Sequence, residues 1–159
     1  MCGYGALYGL GACALSTQHM ESLDVLQRRM LRRMVGWARL ADEEWSVTMR
    51  RMRGRIDAAL RIFPLETWST QFLRRQFRMA CRISRRFDEW AMRASLWDPS
   101  YNHARAYRRR GRPLLRWDDR LNSFARSKLN VRDWQSAAEH FNLAVYECQF
   151  IAFHGANFP

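Results

Sequence analysis

The chain has 159 residues, enough for one domain with a buried core of its own. Its apolar content of 48% and aromatic content of 13% exclude an intrinsically disordered chain. Lys+Arg number 27 against 15 Asp+Glu, a net charge of +12 that favours polyanionic partners, either nucleic acid or an acidic membrane surface.

Residues 1–16, MCGYGALYGLGACALS, are apolar and small. They lack the basic start of a secretory signal and the arginines of a transit peptide, and they are too short for a membrane span. Glycine at positions 3, 5, 9 and 11 opposes a helix. Such an abrupt apolar edge reads as part of something larger.

The first helix is expected after Ser16 and Thr17. Leu23, Leu26, Met30 and Met34 recur at helical period, with Leu31 and Val35 beside them. Arg28, Arg29, Arg32 and Arg33 fall on the opposite flank, and Gly36 ends the segment. A second helix is expected from Asp42 as N-cap, with Glu43 and Glu44 in its first turn. Its stripe is Trp45, Met49, Met52, Ile56, Leu60 and Phe63, and Pro64 stops it. A third starts near Leu65 and uses Trp68, Phe72, Met79, Ile83 and Phe87, with a short piece around Trp90–Trp97 beyond it. Residues 98–113, DPSYNHARAYRRRGRP, read as a basic loop. Pro113 suits the first turn of a fifth helix carrying Leu114, Trp117, Leu121, Phe124 and Ala125. A last helix from about Arg132 holds Trp134, Ala138, Phe141, Val145 and Cys148. No alternating strand pattern appears, so the expectation is an all-α protein of five or six helices, an irregular bundle with a basic loop before the fifth.

Candidate chemistry is sparse. Cys2, Cys13, Cys81 and Cys148 are far apart, as are the four histidines, so no metal or cofactor is expected. Free thiols suit an intracellular location, nuclear or cytoplasmic. The paired Asp118 and Asp119 could hold divalent cations, but acids in a first helical turn are favoured by the dipole alone, and Arg112, Arg116 or Arg120 can pair with them. No nucleophile elbow, P-loop or zinc-protease motif occurs, and no catalytic residue is assigned. The basic segment is the stronger signal: Arg105 to Arg132 holds ten Lys+Arg against two acids, with Tyr107 and Trp117 interleaved. Arg108, Arg109, Arg110 and Arg112 suit phosphate contact, whereas Trp117 lies on an apolar stripe and belongs to the core.

Three blocks in order, ALYGLGACALS (Ala6 to Ser16), LDVLQRRMLRRMVGW (Leu23 to Trp37) and RRGRPLLRWDDRL (Arg109 to Leu121), resemble the C-terminal part of reverse transcriptases of non-LTR (LINE-like) retrotransposons. Leu7, Tyr8 and Gly9 match the stretch that closes the palm. Leu23, Gln27, Leu31, Arg32 and Gly36 match the helix that opens the thumb. Arg110, Gly111, Arg112, Pro113, Arg116, Trp117 and Asp119 match the later motif. Cys13 stands where the family often has tryptophan, and the middle Leu-Arg-Trp-x-Gly-His-Val block appears only as FRMACRI (Phe77 to Ile83).

The resemblance implies a palm–thumb junction at 1–16, a thumb-like region at 17–97, the basic loop at 98–113 and a C-terminal helical region at 114–159. It implies a fragment without the polymerase residues or the endonuclease, and therefore no enzyme. Its partners would be RNA, DNA or an RNA–DNA hybrid, held by Arg28, Arg29, Arg32, Arg33, Arg108, Arg109, Arg110, Arg112 and Arg116, with a reverse transcriptase palm as a further partner. The rival expectation is a structural module that docks on a missing polymerase domain or self-associates; binding to acidic membranes is a third. No membrane span is expected.

Overall fold

The computed structural model describes residues 9–86, 90, 94, 115–140 and 142–155. Every regular element among them is helical, so the protein is all-α. Six α-helices are bounded among the described residues: α1 (Thr17–Met34), α2 (Trp45–Ile62), α3 (Trp68–Arg86), α4 (Asp119–Phe124), α5 (Trp134–His140) and α6 (Glu147–Gly155). Short 3-10 turns occupy Leu10–Ala12 and Leu143–Tyr146, and a π-helical turn at Ala125–Leu129 extends α4. The chain forms two compact units, 18–69 and 1–17 with 70–159.

In the unit 18–69, α1 ends where the sequence says it should. Gly36 takes a left-handed φ of 73°, which a glycine adopts without strain. The buried face of α1 is a different matter. Leu26 and Met34, expected inside, are 46% and 74% exposed. The buried residues are Met20, Asp24 and Gln27, at helical spacing, with Leu23, Met30, Leu31 and Val35 half-buried.

Two polar side chains are inside because each holds the start of α3. The Asp24 carboxylate accepts from the Ser69 amide at 2.9 Å and from its hydroxyl at 2.6 Å. Gln27 Oε1 accepts from the Trp68 amide at 2.9 Å, while Gln27 Nε2 donates to the Glu66 carbonyl at 2.9 Å. A helix leaves its first four amides without internal partners. Here α1 supplies two of them, doing from outside what an N-cap residue does locally.

α2 starts two residues later than expected. Asp42 has a left-handed φ of 63° and closes the Leu40–Glu43 turn, so it cannot cap. Glu44 is the N-cap residue, in extended conformation. Thr48, Met52 and Ile56 are buried on α2, whereas Trp45 and Phe63, expected in its stripe, are 57% and 71% exposed.

The other unit carries an aromatic core. Phe77 of α3 lies 4.8 Å from Phe150 of α6 and meets Phe124 of α4 edge-on at 6.3 Å. Phe124 also packs edge-on against Phe150 at 5.5 Å. Phe72, Leu73, Ala80, Leu121, Ala125, Trp134 and Ala137 are buried with them. Edge-to-face rings match the positive rim of one to the negative face of the next, which adds to the area they bury. The expected single helix from Arg132 is instead α5 and α6 joined by the 3-10 turn, and Val145 (70% exposed) and Cys148 face outward. Asn142 breaks the run: its side chain accepts from the Ala144 amide and starts the turn. Met79, also expected inside, is 36% exposed. Phe87, most of the Trp90–Trp97 piece, the 98–113 loop, Leu114 and Phe141 lie outside the described residues.

Candidate nucleic-acid interface

Nine arginines are candidates, and the described residues include five of them. Arg28, Arg29 and Arg33 are exposed on α1, and Arg32 is half-buried. They stand at spacings of one, three and four, so the four guanidinium groups share one flank of the helix over about 8 Å of its length. Among the described residues no carboxylate lies within ion-pair distance of them. Four like charges packed this way cost the helix a few tenths of a kcal/mol per i, i+4 pair. An anion laid along the flank would remove that repulsion.

Arg116 is placed differently. Its Nε is 3.2 Å from Asp118 Oδ1, and its backbone amide donates to Asp119 Oδ2 at 2.7 Å. Asp118 is 2% exposed and accepts a further bond from Asn122 Nδ2 at 2.9 Å, while Asn122 Oδ1 takes the Trp134 amide at 3.0 Å. The chain of bonds thus runs from Arg116 through Asp118 and Asn122 to the start of α5. Adjacent in sequence, the two aspartates both hold Arg116, Asp118 by its guanidinium and Asp119 by its backbone amide. Among the described residues no group of three or more His, Cys, Asp or Glu side chains could hold a metal ion.

Trp117, assigned to the core, is half-buried and fixed at both ends. Its ring Nε1 donates to the Gly11 carbonyl at 2.7 Å, and its own carbonyl accepts from Gln76 Nε2 at 2.6 Å. Its ring meets Trp134 edge-on at 6.0 Å. A side chain at position 11 would bring Cβ to 3.2 Å from the Arg75 Cβ, so a glycine permits this approach. The first and third sequence blocks, 106 residues apart, therefore meet at Trp117.

Several acidic residues are occupied. Glu147 sits between Arg74 (3.1 Å) and Arg78 (2.9 Å). Asp133 accepts from the Ser136 amide, and that bond holds its carboxyl below the usual range. Glu43 binds Arg51 and Thr48, and these bonds lower its pKa to about 2. Asp24, Asp118 and Asp119 are bonded as well.

Sequence reasoning missed the Glu43 cluster. Arg51 reaches both Glu43 oxygens, at 2.9 and 2.8 Å, and donates to the Ala38 carbonyl at 2.7 Å. An arginine eight residues after an acid has no local pattern that would reveal this. Arg108, Arg109, Arg110 and Arg112 lie outside the described residues. No family model, curated protein or solved structure matches the chain. Among the described residues, no helix is long and apolar enough to cross a membrane.

Proposed function

We propose that this chain binds RNA and DNA through their phosphate backbones, without reading sequence, as the thumb and downstream part of a retroelement reverse transcriptase. The observation that carries the reading is the α1 flank: Arg28, Arg29, Arg32 and Arg33 side by side, with no carboxylate among the described residues to neutralise them. Arginine suits the task because its planar fork matches phosphate oxygens. The net charge of +12 would draw a polyanion from a distance. The palm and endonuclease have no counterpart among the three blocks, so the chain holds its ligand and performs no reaction.

A fluorescence-anisotropy titration with single-stranded RNA, duplex DNA and an RNA–DNA hybrid of equal length tests this. If about five phosphates are neutralised, log affinity falls with log salt at a slope of roughly −4. No binding at low salt would remove the reading. A second reading, a docking module for a missing polymerase domain, draws on Ile62, Phe63 and Leu65, which are 71%, 71% and 55% exposed. Light scattering tests its self-associating form, for which a clean monomer is the contrary result.

A further inference from the structure

The residues that join α1 to α2 carry a feature that backbone binding does not use. Trp37 and Trp45 are 37% and 57% exposed, and their ring centroids are 5.8 Å apart at an interplanar angle of 57°. Tryptophans ordinarily go inside, because their large area gains much from leaving water.

The segment that presents them is firmly held. Carbonyls on both sides of Trp37 are bonded: Arg55 donates to Gly36 at 3.3 Å and Arg51 to Ala38 at 2.7 Å. Arg39 donates to the Glu43 carbonyl at 3.3 Å through Nε. The Glu43 carboxylate takes the Thr48 hydroxyl at 2.7 Å, which ties the turn to the first turn of α2, where Trp45 sits. These bonds fix the backbone around two rings that face water.

The surroundings select the ligand. Arg28 to Arg61 contains ten arginines against four acids, and one of those acids, Glu43, is already bonded to Arg51. Arg55 lies against the carbonyl next to Trp37, and Arg32 and Arg33 end α1 a few residues before it. An aromatic pair set among cationic groups fits a ligand that is both flat and anionic. We infer that Trp37 and Trp45 form a stacking platform for unpaired bases of a single-stranded nucleic acid whose phosphates lie on the neighbouring arginines. The inference rests on the backbone-binding reading and extends it.

Ring spacing sets the mode of stacking. A base held between two rings needs them parallel and roughly 7 Å apart, twice the stacking rise of 3.4 Å. At 5.8 Å and 57° the pair is too close and too inclined, so a base stacks on an outward face. Trp45, the more exposed, offers the larger one.

The test compares oligo(dT) with an abasic strand of equal length and charge, using the full chain. Oligo(dT) should bind about tenfold more tightly, near the low end for stacking of one base on an aromatic ring. Trp45→Ala should reduce oligo(dT) affinity to the level of the abasic strand, and Trp45→Phe should restore part of the difference. Circular dichroism checks that the variants fold. Equal binding of both strands by the unmodified protein would overturn the platform and leave backbone binding in place. Binding of neither strand at low salt would overturn both. A dimer seen by light scattering that dissociates in Trp45→Ala would also overturn the platform, by making the patch a protein contact.

Discussion

The α1 flank and the Arg116–Asp119 turn both carry arginine in an apolar helical frame, yet the fold places them in opposite ways. On α1, Arg28, Arg29 and Arg33 are exposed and no carboxylate among the described residues pairs with them. At the turn, Arg116 is bound to a 2%-exposed Asp118 that also holds Asn122. The difference lies in the acids, not the arginines. A carboxylate two residues away turns an arginine inward to complete a buried network, and its absence leaves the charge at the surface. Counting basic residues therefore overstates a binding surface unless local acids are subtracted.

The largest effect comes from the buried turn. Asp118→Ala should cost about 3 kcal/mol, because Asn122 and the Arg116 guanidinium lose their shared partner in a closed site. Urea unfolding measures it; a midpoint unchanged from the parent would mean that the network is ornamental. Asp24→Ala comes next, at about 2 kcal/mol, since it removes both bonds to Ser69 from the start of α3. Its thermal midpoint should fall, with the loss concentrated in amide exchange of the first turn of α3.

Acid sensitivity is a third measure of the occupied side of the comparison. His154 is half-buried against Phe150 and bonded to the Arg120 carbonyl, and its desolvation lowers its pKa to about 4. The folded protein then resists the proton that the unfolded chain takes up below its usual 6.5. Stability should be fully present above that value and decline as pH falls to about 4. Glu43 adds a second decline between its usual 4.5 and about 2, because its bonds to Arg51 and Thr48 favour the ionised form. Denaturation followed against pH checks both; in His154→Phe the upper decline should disappear, and its persistence would assign it to another group.

Much of the fold was legible. The extent of α1, its stop at Gly36, and the buried Phe72, Leu121, Phe124 and Trp134 follow from period and turn chemistry. The pairing of Asp118 with Arg116 was among the options that helix-end electrostatics allows. What failed has one physical cause. Hydrophobicity put Leu26 and Met34 inside α1, but the position inside goes to Asp24 and Gln27, whose value lies in amides 45 and 41 residues away. Trp45 was read as core for the same reason: the pattern shows a large ring at the right period and cannot show that nothing covers it. The Glu43–Arg51 clamp, set by a turn through Asp42, had no local signature at all.

The smallest expected change in stability belongs to the α1 flank, and it supplies the most direct test. Arg28, Arg29, Arg32 and Arg33 replaced together by alanine should leave stability within about 0.5 kcal/mol, or raise it, since the change removes like-charge pairs. The salt slope of nucleic-acid binding should shrink by about one for each arginine that touched a phosphate. Arg116→Ala should do the reverse, losing stability and keeping the slope. The measurement is therefore the salt dependence of binding to an RNA–DNA hybrid, for the parent and these two variants in parallel. A slope that flattens only in the α1 variant is the predicted result. A slope that flattens in Arg116→Ala but not in the α1 variant would contradict the account.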